Sequence, residues 1–374
     1  MPESAQGSAS TKVHRYPCPG CSADLVFEAR DGLLTCPYCG RKEQIPSSAE
    51  QVQERSYTDY LKLHPERIQP LANDALEVQC GGCGVTVTFT APQVAGDCPF
   101  CGASIVAEPT AAQAILAPES LIPFRIDHRQ ASESIKAWLS SRWFAPNALM
   151  RLAKEETATG VYLPFWTYDT YTVSHYTGER GEHYWVTETY VDVDRSGNRV
   201  TRTRRVRKTR WYPATGTVNQ WFDDLLIPAS KSLPESRLAA LEPWGLADLK
   251  PYQPAYLAGY KAQRYQVDLK DGFELAKATI APAILRNVCQ DIGGDEQRVS
   301  QVRTAYSGIT FKHLLLPVWV SAYRFSGSIY QVLVNARTGE VQGERPYSPW
   351  KILGLVAVLV LVVVILAYLS EIHS

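Results

Sequence analysis

Residues 18–40, CPGCSADLVFEARDGLLTCPYCG, and residues 80–102, CGGCGVTVTFTAPQVAGDCPFCG, carry eight of the nine cysteines. Each stretch holds two Cys-x-x-Cys pairs with fourteen residues between the inner cysteines, and the pattern recurs at an offset of 62. Cys18, Cys21, Cys36 and Cys39 make one set; Cys80, Cys83, Cys98 and Cys101 make the other. Each Cys-x-x-Cys predicts a tight knuckle whose small residues let backbone amides turn toward the sulfurs. A short β-hairpin between knuckles, here Leu25-Val26-Phe27 and Val85 to Phe89, brings four thiolates into a tetrahedron suited to Zn²⁺. The expectation is two zinc ribbons with two structural zinc ions. Four thiolates close the coordination shell and leave no position for a catalytic water. Paired spacing also points to a reducing compartment and not to a disulfide framework.

The other decisive stretch is ILGLVAVLVLVVVILAYL, residues 352–369, without one charge. At about 1.5 Å per residue it reaches about 27 Å, enough for a bilayer core. Trp350 and Tyr368 flank it as interfacial aromatics would. Arg345 and Lys351 precede it and the tail Ser370 to Ser374 has no lysine or arginine, so the positive-inside rule puts the N-terminal part in the cytoplasm. The organisation expected is a disordered segment 1–13, ribbons over 14–46 and 78–108, and a helical spacer over 47–77. An α+β domain over 120–346, a transmembrane helix over 351–369 and a short tail 370–374 follow. Ser47 to Glu50 resembles a capping box, which predicts a helix to about Leu63.

In the large domain, Asp127 to Gln130 reads as a helix start, with Ala131, Ile135, Trp138 and Leu139 on one face. A strand over Val161 to Tyr168 follows. Asp268 then precedes a second helical pattern of Phe273, Ala276, Ile280, Ile284 and Val288, with a kink expected at Pro282. A strand at Leu315 to Val320 and a hairpin from Ser328, turning at Thr338-Gly339, complete a second round. Two rounds of helix, Leu-Pro-x-Trp strand and hairpin suggest a diverged internal duplication.

Residues 195–210, RSGNRVTRTRRVRKTR, hold eight basic residues and no acidic one. Threonines between the arginines predict a strand, paired with Tyr184 to Val193 across Ser196-Gly197-Asn198. Arg202, Arg204, Arg205, Arg207, Lys208 and Arg210 are candidates for holding phosphates of nucleic acid or anionic lipid. A solvated hairpin balanced by Glu179, Glu182, Glu188, Asp192 and Asp194 fits the same residues. The 38 basic and 38 acidic residues of the chain cancel, which argues against a protein that coats nucleic acid. No G-x-x-x-x-G-K-[ST], H-E-x-x-H or G-x-S-x-G occurs, and no enzyme activity is expected.

The cysteine modules together with GVYLPFWTYD (160–169), RRVRKTRWYPATG (204–216), FKHLLLPVWV (311–320) and VNARTGEVQGERP (334–346) resemble one bacterial family. Its members are membrane-anchored double zinc-ribbon proteins found with phage-shock-protein-A-like and SPFH-type membrane proteins, often labelled as primosomal replication helicases. The resemblance implies a tail-anchored scaffold that recruits membrane-remodelling proteins to the inner membrane. A membrane-tethered nucleic-acid binder, using the ribbons and the basic hairpin, is the alternative.

Overall fold

The computed structural model describes residues 16–23, 25–46, 52–62, 75–79, 83–90, 95–100, 104–106, 116, 118–143, 146, 158–193, 197–263 and 265–372. Within them the chain is mixed helix and sheet, mostly sheet. The first cysteine module holds β1 (Val26–Glu28), β2 (Leu33–Thr35) and β3 (Lys42–Glu43). After β4 (Arg55–Ser56) and α1 (Tyr57–Lys62), the second module holds β5 (Ala75–Gln79), β6 (Thr86–Thr90), β7 (Ala95–Asp97) and β8 (Ser104–Val106). The repeat is visible in the pairing: Leu34 faces Glu43 in the first module, and Gly96 faces Ile105 in the second.

The large domain runs β9 (Ser120–Leu121), α2 (His128–Ser140), β10 (Thr159–Val193), β11 (Arg199–Pro228), α3 (Glu235–Ala239), β12 (Lys250–Pro251) and β13 (Lys261–Ala262). It continues with α4 (Leu269–Ile292), β14 (Glu296–Phe325), β15 (Ser328–Asn335) and β16 (Val341–Gly343), and α5 (Pro349–Ile372) follows. Asp127 caps α2 in a reciprocal box with Gln130, and Asp268 caps α4 through the N–H groups of Lys270 and Asp271. The helix α4 runs unbroken through Pro282, where a kink was expected.

A local two-fold relation organises this domain. The antiparallel pair β10–β14 places Leu163 opposite Leu316, the equivalent residues of the two Leu-Pro-x-Trp motifs. About that pair the contacts are reciprocal. Trp166 Nε1 donates to the carbonyl of Val267, the residue before the Asp268 cap, over 2.9 Å. Trp319 Nε1 donates to Ile126, the residue before the Asp127 cap, over 2.8 Å. Ala229 N–H bonds Pro164, and Ala336 N–H bonds Pro317. Strand β9 lies parallel to β14 and β13 parallel to β10, so each round pairs with the other round's strand.

Strand alternation separates two faces. Val161, Leu163 and Phe165 join Leu314, Leu316 and Val318 on one, where the second module packs through Val85, Cys98 and Phe100. Tyr162, Leu315 and Trp319 lie on the other, with the first module's Phe27 and Leu34. There Phe27 N–H bonds the Ala258 carbonyl, and Arg30 pairs with Asp127. Both modules are thus docked on the sheet. On this same face α4 covers the sheet with Phe273, Ala276, Ile280, Ile284 and Val288, all buried as the sequence pattern requires.

Two expectations are corrected. Among the described residues, the helix expected from Ser47 to Leu63 is limited to Tyr57–Lys62, capped by Ser56 Oγ. It is no free spacer: Arg55 and Ser56 pair with β14, and Tyr57 and Tyr60 pack on Tyr168, Phe273 and Phe311. The strand expected to end at Tyr168 runs on to Val193, because its aromatic and β-branched run finds partners in both β11 and β14.

Gly272 occupies the α4 position equivalent to Ala131 of α2, and an added Cβ would sit 2.5 Å from the Tyr168 hydroxyl and 2.9 Å from Trp166. Gly272→Ala should therefore destabilise by about 1–3 kcal/mol, although alanine favours an isolated helix by about 1 kcal/mol. Thermal unfolding in detergent checks this, and a rise in midpoint would mean the close packing against Trp166 and Tyr168 is not limiting.

Candidate metal centre and charged sites

In the first module Cys18, Cys21, Cys36 and Cys39 place all four sulfurs within 4.8 Å of one another. Sulfur separations are 3.4 Å for Cys18–Cys39, 3.4 Å for Cys21–Cys36 and 3.6 Å for Cys21–Cys39. The knuckle geometry aims amides at sulfur, as the N–H of Gly20 does toward Cys18 Sγ over 3.4 Å. Those amides matter electrostatically. The N–H groups of Cys39 and Tyr38 pull the Cys36 thiol down to about 6, and that of Gly20 lowers Cys18. Cys21, pushed up to about 12, and Cys39 move the other way, because sulfurs this close share their hydrogen bonds unequally. By geometry and donor chemistry the four cysteines could hold a metal ion.

In the second module Cys83 Sγ and Cys98 Sγ are 3.7 Å apart. They are the counterparts of Cys21 and Cys36 at the 62-residue offset. Cys80 and Cys101 lie outside the described residues.

The basic hairpin forms with the expected pairing, Tyr184 opposite Lys208 and Val193 opposite Arg199. Its cations are not equivalent. Arg202 pairs with Asp192 at 3.1 Å, and Lys208 and Arg204 with Glu188 at 2.9 and 3.5 Å. Arg210 lies over the Tyr184 ring and Arg205 over Trp185. Arg207 lies on the same strand face as Arg205.

A second charged cluster was not anticipated. Lys312, with a side chain only 8% exposed, donates to Glu54 Oε1 at 3.0 Å and forms an ion pair with Asp224 Oδ1 at 2.8 Å. Asp169, where β10 faces a bulge in β11 on one side and in β14 on the other, accepts from Thr310 Oγ1 and the Asp224 N–H, both at 2.6 Å. Burial pushes Asp169 up to about 6. Burial would lower the lysine, but its bonds to Asp224 and Glu54 outweigh that and raise it. Glu54, Asp169 and Asp224 lie close enough to hold a metal, yet the Lys312 ammonium already binds two of them. The only sequence signal was four polar residues inside apolar strand text, from segments too far apart to connect by spacing. Beside them Arg55 Nε approaches Glu119 Oε1 at 2.6 Å, and burial pushes Glu119 up to about 7.

An open cleft of about 550 Å³ at the start of α2 is lined by Arg125, Gln130, Trp244, Arg337 and Thr338 among others. Arg337 is tied to Asp248. Its lining brings guanidinium groups together and contributes no carboxylate, histidine or thiol.

The chain is similar to one protein of Bacillus subtilis (strain 168). They are 27% identical over 343 residues, covering 90% of this chain and 91% of that protein, which is described as "Uncharacterized protein YdjG". No family model matches the chain, and no solved structure matches it.

α5 is the one described helix long and apolar enough to cross a membrane, and no part of its apolar window is buried by the protein.

Removing the buried ammonium leaves three facing carboxylates, so Lys312→Met should destabilise on the order of 2 kcal/mol at pH 8. Asp169 has a raised folded pKa, so its ionisation costs stability as pH climbs from its ordinary value near 3.8 through about 6. The deficit of the variant should then shrink toward pH 5.5. Unfolding midpoints at both pH values test it; equal deficits would show that Asp169 does not titrate with the cluster.

Proposed function

We propose that the protein is a non-enzymatic membrane-tethered adaptor whose two cysteine modules are zinc ribbons, each with one structural zinc. The observation that carries this reading is the four-sulfur cluster. A tetrahedral zinc with bonds of about 2.3 Å needs sulfurs about 3.8 Å apart, and the measured separations of 3.4 to 3.6 Å approach that spacing. The 3.7 Å Cys83–Cys98 contact repeats one edge of the tetrahedron in the second module. Such small sheets bury too little to fold without their metal.

The adaptor reading is supported by a closed ligand set, by the uncovered apolar surface of α5 and by the resemblance to double zinc-ribbon membrane proteins. α5 spans the bacterial inner membrane once, with residues before it in the cytoplasm, as Arg345 and Lys351 direct. Partners of phage-shock-protein-A-like or SPFH type follow from the resemblance.

Metal analysis of the purified protein should give two zinc ions per chain, falling by one on Cys36→Ser and by one on Cys98→Ser. A single zinc in the unsubstituted protein would remove the second ribbon from the proposal. Loss of the first zinc should also release Phe27 from Ala258, read as faster amide exchange at Phe27. For the adaptor role, the full chain is affinity-purified from mild-detergent membranes with and without nuclease. Membrane-associated proteins that persist after nuclease support it; their complete loss on nuclease treatment would sink it.

A further inference from the structure

The register of β10 and β11 sorts the ribbon into two chemically different faces. From Thr170 onward the pairing is unshifted to the hairpin turn, so directly opposed residues share a face throughout. The even-numbered face carries Glu182, Glu188 and Asp192 beside Arg202, Arg204, Lys208 and Arg210. There cations and carboxylates neutralise one another, and α4 covers its lower part through Tyr176 and Phe222.

The odd-numbered face is different. Between Tyr184 and the turn its described residues include Arg199, Arg205 and Arg207 with Trp185 and a series of threonines, and no carboxylate. All three arginines are exposed, and Trp185 is 57% exposed. Further down the same face the Arg298 guanidinium stacks on Trp211 at 3.8 Å. Of the carboxylates there, Glu179 pairs with Arg298, and Glu296 is bonded to His183 and Thr209 and lies within electrostatic reach of Arg207, which leaves Arg199 and Arg205 without a carboxylate on this face among the described residues. Tyr171 and Trp221 stay exposed below them. Among the described residues no helix covers this side: α4 packs on the buried even-numbered residues.

We infer that this odd-numbered face is a docking surface for single-stranded nucleic acid. Arg205 and Arg207 stand about 6.8 Å apart on one strand, a spacing that lets both engage successive phosphates. Arginine forks bind phosphate bidentately. The exposed rings of Trp185, which carries Arg205 on one side, and of Trp221 further down the face offer flat surfaces on which bases stack, a sequence-tolerant contact. Charge complementarity selects a polyanion, and the rings select one with unpaired bases. Lipid phosphate is the less suited source, because about 75 Å of strand separate Thr159 from Gly181, where the two-stranded arm begins. α5 follows the sheet at the Thr159 end, since β16 pairs with β15, and β15 with the end of β14 opposite Thr159. This inference stands apart from the adaptor reading and survives or fails without it.

The test uses full-length protein in nanodiscs and a fluorescent single-stranded oligonucleotide, read by anisotropy across a salt series. Arg205→Ala with Arg207→Ala should weaken binding about tenfold or more and flatten the log–log salt slope by about 1.4. Trp185→Ala should cost about fivefold or more. Arg202→Ala with Arg204→Ala, on the compensated face, should change affinity by less than about twofold. Equal losses from the two arginine pairs would show nonspecific attraction and overturn the assignment to one face. So would no oligonucleotide binding, or Arg205-dependent binding to phosphatidylglycerol vesicles in its place. All these residues lie on an exposed hairpin, so the variants keep the fold, which unfolding midpoints verify.

Discussion

The large domain rests on a reciprocal exchange. Each indole N–H reaches across to the carbonyl immediately before the other round's capped helix, Trp166 to Val267 and Trp319 to Ile126. These buried donors have no water to fall back on, so the bond fixes where each helix begins relative to the opposite strand. The exchange also explains the strands that look misplaced. β9 and β13 each leave their own round and lie parallel to the other's central strand. Neither round could close its core alone.

Around this pair the two sheet faces have separate work. One receives the first cysteine module, α2 and α4; the other receives the second module. The described parts of both modules pack on the sheet, and the first brings with it a four-cysteine group that could hold a metal. Phe27 is packed on Tyr256 at 5.3 Å and Val26 sits against Gly259, so the four-cysteine module contacts the domain surface directly. Gly259 has φ of 85°, and the space that a Cβ would need is filled by Val26.

Beyond the core the same strands continue as a ribbon, and their composition changes from apolar to threonine, aromatic and arginine. The β-branched residues keep the backbone extended where no core remains to hold it. An isolated two-stranded arm is marginal by itself. Cross-strand pairs such as Arg202–Asp192 and Lys208–Glu188, and arginines laid over Tyr184 and Tyr190, brace the even-numbered face of this one. That bracing leaves the odd-numbered face chemically open.

Much of this was legible in the residues themselves. Cysteine spacing specifies knuckles and hairpins because it acts over a few bonds. Asp127 and Asp268 mark helix starts because a cap bonds amides two or three residues away. The apolar run of α5 needs no partner to be recognised. The arm's pairing across Gly197 was equally local. What only the tertiary structure decided depends on contacts between remote segments. The reach of β10 to Val193 needed partners in both β11 and β14, and the course of residues 52–62 is set by β14. Lys312 pairs with Glu54 and Asp224, and Asp169 lies beside them, all from separate parts of the chain. The sorting of seven neighbouring cations onto two faces, one of them braced by cross-strand carboxylates, follows from register, and register is a property of two strands, not one.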